Sequence, residues 1–581
     1  MSEGDTYIYE NTLENEVIEK PFIAKEVQIV YDSNNGVYNN QILFSTGNLT
    51  NTGKWVDYAN SYIEIPVVMA LKSSANITAG SPNAFMMGLK NGSVQLIDSI
   101  ILQYNGTSMV QQSIFTNVFQ HFKIMSSWTY EDQLKWGPTT MFWPDDTSSM
   151  HFSNAAASPY GDGTSNNQVS ASIPTSDMTA WTASISGQNK GFANRLQNAA
   201  LNPAAGNNGL GVLTAAQANQ VGKAYFGNNG AAGAARVYYW QIMLTLRLKD
   251  MADFFNKIPI LKAARIDLTI NFNTFSNTVT YVNGTNGPTS GTMVTATFTQ
   301  LAGHSCPYML ASAANDKDAK VGSVPTQPNA ILGSDGTLTV GLGINGINGV
   351  AALANLPSTI FNNCRWYVPL YEANPEFEQN LLASNPLKTI YYDDFYTYTS
   401  ITAQTGSFSQ LITSGVKNPK YLVMVPFFNA AEANSGNVGG YAPYQSCFDS
   451  APATASPVTL TNLQVQVGGK TLFPLIEQYN FQQFMDEFSA IFALNGGKSQ
   501  AMTSGLITQQ WWENAPIYVA DLCRRLPQDD ESTKSIQVSC TVASSKPMAA
   551  GTAAVVDIIA FVVYQRSATF NLINGLLESS T

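Results

Sequence analysis

The chain has 581 residues, 44% of them apolar and 11% aromatic but only 12% charged, with 29 basic against 40 acidic residues and a net charge of −11. That length exceeds one ordinary core, so two or more domains are expected. Scattered rather than clustered Lys and Arg argue against a phosphate-neutralising surface, and so against direct sequence-specific nucleic-acid binding.

The elements are taken in chain order. Residues 1–24 form an acidic arm (EGDTYIYENTLENEVIE) with neither the basic start nor the apolar run of a secretory signal. Strands are expected at Lys25–Asp32, Ser61–Leu71 and Val94–Gly106, where apolar and polar residues alternate at period two. From Gln103 to Phe122 a strand, an Asn105-Gly106 turn and a helix bearing Phe115, Val118, Phe119 and Phe122 follow in order. A Ser, Asn, Ala and Gly-rich tract at 145–235 is too long for a turn inside a compact domain, and reads as an outward loop. Leu244–Pro259 (LTLRLKDMADFFNKIP) reads as helical, and Ala264–Asn273 as a strand.

A second low-charge tract, 301–354, reads as a linker between halves. Beyond it, strands are expected at Cys364–Tyr371, Lys388–Thr399, Tyr421–Phe428, Thr461–Gly469, Lys534–Val542 and Ala553–Gln565. The stretch Val467–Phe488 repeats the first unit: a strand end, a glycine turn, and a helix with Tyr479, Phe481, Phe484 and Phe488. After each unit a helix, a Pro (Pro259 or Pro527) and a strand are expected. The chain is therefore read as all-β and internally duplicated: a first sandwich over 25–300, a second over 355–570, and a tail at 571–581. The most apolar stretch, Val555–Tyr564, is half a membrane span and contains Asp557, so it reads as a buried strand and no transmembrane segment is expected. Five widely spaced cysteines (Cys306, Cys364, Cys447, Cys523 and Cys540) fit reduced thiols.

Few fragments suggest chemistry. Gly469-Lys470-Thr471 and Gly497-Lys498-Ser499 resemble the end of a phosphate-binding loop, but Gln464 and Phe492 stand where that motif needs Gly. GLGING (Gly341–Gly346) satisfies a dinucleotide fingerprint without the alternating strands and helices such a fold needs, so a linker or hairpin is the better reading. His121, His151 and His304 lack metal-ligand spacing. The acids Glu376 and Glu378, Asp393 and Asp394, and Asp529 to Glu531 could flank a glycosidic bond, but they read better as solvated. Asp393 and Asp394, adjacent on a strand, point to opposite faces. The aromatic stripes at helical spacing read as core. No catalytic, cofactor-binding or metal residue is assigned, and no cofactor.

The segments Gly53–Leu71 (GKWVDYANSYIEIPVVMAL), Leu248–Ile270 (LKDMADFFNKIPILKAARIDLTI), Arg365–Phe395 (RWYVPLYEANPEFEQNLLASNPLKTIYYDDF) and Leu460–Pro474 (LTNLQVQVGGKTLFP) resemble, in order and spacing, the double jelly-roll major capsid proteins of small eukaryotic double-stranded DNA viruses, the polinton-like viruses and their virophage relatives. The resemblance implies two consecutive eight-stranded jelly rolls with a few short helices, in a non-enzymatic structural protein. It further implies homotrimers with pseudo-hexagonal outline, tiling an icosahedral shell around a double-stranded DNA genome. Partners would be further copies, penton proteins and minor capsid or cement proteins, and the chain would reside in the virion. Tower-like loops would come from 145–235. A carbohydrate-binding or carbohydrate-cleaving β-sandwich, suggested by Trp136, Trp143, Trp511 and Trp512 with the acids, and a receptor-binding viral spike are the alternatives.

Overall fold

A computed structural model of the chain describes residues 21–34, 36, 38, 40–73, 85–144, 224–229, 237–273, 275–281, 305–312, 336–347, 363–384, 386–429, 458–473, 479–495, 501–523, 532–543, 555–572 and 574–580. Most of the tract 145–235, the stretch Asp529–Glu531, and His151, His304 and Cys447 lie outside them.

The first sandwich is built from β1 (Phe22–Tyr31), β2 (Gln41–Ser45), β3 (Tyr62–Ser73), β4 (Ile97–Tyr104), β5 (Thr107–Gln112), β6 (Val237–Arg247), β7 (Ile266–Phe272) and β8 (Arg365–Ala373). One sheet runs β1-β8-β3-β6 and the other β2-β7-β4-β5, every pairing antiparallel. β7 shows why: in IDLTINF every second side chain is buried, so one face meets the core and the other is half open. The second sandwich comprises β9 (Leu387–Gln404), β10 (Ser407–Val416), β11 (Pro419–Phe428), β12 (Leu460–Val467), β13 (Lys470–Thr471), β14 (Tyr518–Asp521), β15 (Lys534–Val542) and β16 (Val556–Asn571). Its sheets run β9-β16-β11-β14 and β10-β15-β12-β13. In both halves the order is first, eighth, third, sixth over second, seventh, fourth, fifth. That is the strand order of a jelly roll, and the chain makes it twice.

The duplicated phrase lies at equivalent places. Asn105 and Gly106 have φ of 48° and 85°, and Gly468 and Gly469 have φ of 58° and 78°. Two successive positive-φ residues close a two-residue hairpin whose twist matches its strands, here β4–β5 and β12–β13. A helix follows each: α1 (Thr116–Ser127) after the first. In the second half the corresponding helix is Phe481–Phe492, where the Asn480 side chain accepts from the Gln483 N–H and the Gln483 side chain accepts from the Asn480 N–H. The first half adds α2 (Tyr130–Thr140) and the short turns α3 (Leu248–Met251) and α4 (Phe254–Lys257). Continuing along the chain, α5 is Pro375–Ser384, α6 is the Phe481–Phe492 helix, and α7 is Gln509–Asn514.

Several local expectations are corrected. Leu244–Arg247 belongs to β6 and only the following residues turn helically. Val519–Asp521, in the stretch ahead of Pro527 where a helix is expected, lies in β14, whose residues are buried on both faces and so show no alternation. Strand Gly336–Ile344, inside the stretch 301–354, pairs with β3 and with Phe275–Tyr281 in the first sandwich. β8 lies within 355–570 in sequence, and in space it stands between β1 and β3.

The two cores interpenetrate. β9 and β16 are long strands, paired from Leu387 opposite Asn571 to Gln404 opposite Val556, with the register shifting beyond Tyr398. One end of this ribbon reaches past its own sandwich and places Ile390, Tyr392, Ala568 and Phe570 in the first core. In return, α1 places Phe119 and Phe122 in the second core. Phe119 sits 4.1 Å from Phe395 and 5.3 Å from Phe561 between ring centroids.

Candidate functional site: a charged seam and two open edges

Where the ribbon of β9 and β16 meets β5, charged side chains are enclosed. Asp394 is fully buried. Its carboxylate accepts from the Phe395 N–H at 3.0 Å, the Gln111 N–H at 3.4 Å and the Tyr564 hydroxyl at 3.4 Å. Its cation, the Arg566 guanidinium, stands at 3.9 Å and donates instead to the carbonyls of Met109 (2.6 Å) and Ser108 (3.2 Å). Burial outweighs these contacts and pushes the Asp394 carboxyl up to about 6.

Asp393, next along β9, accepts two hydrogen bonds of 2.9 Å from Lys420, and its own N–H donates to Asp253 at 3.1 Å. Burial raises its carboxyl too, against the pull of Lys420. Both aspartates border a cleft of about 440 Å³ between the sandwiches, with Phe119, Tyr421 and Phe492 on its apolar wall and Lys123, Asp253 and Asp521 around it. The solvated reading of this pair is therefore corrected: the second sandwich's first strand enters the seam there instead of facing water. Arg566, Lys420 and Asp253 were not singled out in the sequence. The available signal was Gln565-Arg566 interrupting an apolar strand too long for one sandwich.

The other candidates are placed apart. Gly468–Gly469 form the hairpin turn and Lys470 opens β13, so no loop there curls around a phosphate. GLGING is strand through Ile344, and a Cβ on Gly343 would lie 1.9 Å from the Gly346 carbonyl, so the glycines serve a tight turn at a strand's end. His121 is buried against Asn91 and the Phe142 ring. Glu378 pairs with Lys262, and Glu376 lies in the first turn of α5. Trp511 and Trp512 are buried, the indole of Trp512 donating to the Ile517 carbonyl at 2.8 Å. Among the described residues no group of His, Cys, Asp or Glu is placed to hold a metal ion, and no helix is long and apolar enough to cross a membrane.

The outer strand of each larger sheet is open. Among the described residues β1 pairs only with β8, and β9 only with β16. Both present apolar side chains to solvent: Val27 (54% exposed) and Tyr31 (61%) on β1, Leu387 (53%) and Tyr391 (60%) on β9. Val27 and Tyr31 share one face of β1, and Leu387 and Tyr391 share the face of β9 opposite to Ile390 and Tyr392. Each edge also carries exposed charges, Lys25 and Glu26 on β1 and Lys388 on β9, of the kind that ordinarily guard such strands.

The chain is similar to subunits of viral shells. With a chain of the Sputnik virophage structure it shares 11% identity at a TM-score of 0.48, covering 98% of this chain and 90% of the other. With the mavirus major capsid protein the values are 11% and 0.41, over 96% and 90%. With the faustovirus major capsid protein they are 11% and 0.40, over 94% and 91%. No family model matches the sequence. No curated protein matches it either.

Proposed function

We propose that this chain is a structural shell subunit, the major capsid protein of a double-stranded DNA virus, acting as a homotrimer rather than as an enzyme. The observation that carries this reading is the tandem repetition of one jelly-roll strand order, with the two copies joined through shared cores. A jelly roll alone hosts many functions, so the weight rests on the doubling. Three chains of two sandwiches would set six similar blocks around an axis, approximating sixfold packing with threefold symmetry. A heterologous contact that closes on itself builds such a ring, and the open apolar edges β1 and β9 would supply it. Further copies, vertex proteins and minor shell proteins would be its partners, and the virion its location.

The carbohydrate reading needs tryptophans open to a sugar, whereas Trp511 and Trp512 are buried and Trp136 and Trp143 are half-buried. Negative-stain electron microscopy of the purified chain tests the proposal. Compact threefold blocks, or shells built from them, are the expected result. A stable monomer under native conditions would remove its basis.

A further inference from the structure

We propose that the seam between the two sandwiches is a proton-responsive joint, held more tightly when Asp394 carries a proton and loosened when that proton is lost. The inference concerns the folded chain and does not depend on the shell reading.

The geometry carries it. Asp394 on β9 is enclosed by β5 of the first sandwich and β16 of the second, with no part of its side chain exposed. A carboxylate there has lost its hydration and needs close, well-aimed partners to recover the cost. From β5 it receives one 3.4 Å N–H contact, from Gln111, and the side chain of Gln112. From β16 it receives the Tyr564 hydroxyl at 3.4 Å and the guanidinium of Arg566 at 3.9 Å, the latter committed to two carbonyls of β5. The 3.0 Å bond from Phe395 is short, but it lies within its own strand and does not bridge the seam. The charged form is therefore poorly compensated at the junction.

Neighbouring groups leave the sign unchanged. Asp393 faces Lys420 from β11, Asp253 beside α4 and Lys123 from α1, and burial raises its carboxyl in the same direction. Tyr392, Tyr421 and Tyr564 are all shifted upward by burial and stay neutral between pH 5 and 8. Asp394, pushed up to about 6 in the folded chain from an ordinary carboxyl value of 3.8, binds its proton more strongly there. It therefore weighs against folding above pH 6, and that burden is relieved as pH falls through 6 towards 3.8.

The test compares the full chain with Asp394→Asn, which removes the charge and keeps the shape. Denaturant midpoints would be measured at pH 7.5 and pH 5. Asp394→Asn is expected to be the more stable at pH 7.5, and its advantage in folding constant to shrink about tenfold by pH 5. An advantage that stays constant with pH, or a variant less stable at pH 7.5, overturns the proposal. Wild-type hydrogen exchange supplies a second readout should the variant not fold. After correction for the intrinsic pH effect, peptides covering 107–112 and 388–396 should gain protection at pH 5 relative to 460–467. Equal protection at both values overturns the joint.

Discussion

Phe122 and Phe488 meet edge to face, with ring centroids 6.3 Å apart and planes at 73°. They stand on α1 and α6, the helices of the two copies of the strand–turn–helix phrase, so the duplicated helices touch. Phe122 also packs on Phe492 at 5.4 Å, and both Phe122 and Phe488 are buried in the second core. Phe122→Ala should cost about 3–5 kcal/mol, with Phe488→Ala in the same range. Because the two share a contact, the double variant should lose less than the sum. Denaturant midpoints of the four proteins in the cycle check this.

Gly575 ties its segment to the first sandwich. Its carbonyl accepts from the Tyr104 hydroxyl at 2.7 Å and from the Asn105 side chain at 3.0 Å. Its φ is +66°, and a Cβ would lie 2.1 Å from the Lys262 carbonyl. Gly575→Ala therefore meets both backbone strain and a backbone clash, and should destabilise by about 2 kcal/mol or more. Tyr104→Phe removes one buried hydrogen bond and should cost about 1–2 kcal/mol. Protease cleavage within 571–580 should accelerate in the glycine variant, and unchanged cleavage would contradict the account.

These contacts mark where sequence reading runs out. Alternation revealed β4 and β7, because each has one face towards a core and one towards less enclosed surroundings. It missed β10, a largely polar edge strand, and β14, buried on both faces. Leu244–Arg247 failed for another reason: its Leu spacing suits a strand and a helix equally, and pairing with β3 decides the matter. That β8 joins β1 and β3 is a long-range choice of register, which no local window contains. The seam was hidden likewise, since Asp393 and Asp394 look the same on an open face and in a junction.

Lys420 gives a separate test at the cleft. Lys420→Met removes the cation from Asp393, whose side chain is 23% exposed. Leaving that carboxylate unpaired should cost about 1–2 kcal/mol near neutrality. Asp393→Asn combined with Lys420→Met should recover part of the loss, since neither charge then stands alone. Thermal midpoints of the two variants and their combination decide it.

The thiols should divide by burial. Cys306, Cys364 and Cys540 are buried, while Cys523 is exposed. Burial pushes the Cys306 thiol up to about 11 and the Cys540 thiol up to about 12, and raises that of Cys364 as well. Thiolate is the reactive form. At pH 8 a disulfide reagent should label Cys523 within minutes and the three buried thiols only after unfolding, as peptide mass mapping would show.

On the open edges, Tyr31→Glu and Tyr391→Glu change exposed side chains, so folding stability should move by no more than about 0.5 kcal/mol. If β1 and β9 meet in an assembly, either charge should shift the sedimentation profile from trimer towards monomer. A trimer of undiminished stability in both variants would place the contact elsewhere.

The position of β8 has a consequence for biosynthesis. Residues 365–373 must emerge from the ribosome before the larger sheet of the first sandwich can close between β1 and β3. Until then a long nascent chain carries an unfilled slot in that sheet, bordered by backbone that would pair with any passing strand. The later stretch that carries Gly575 then returns to Tyr104. The first sandwich is thus completed only by residues far along the chain, so a product terminated before them leaves it unlatched and open to the quality-control machinery of the cell that makes it.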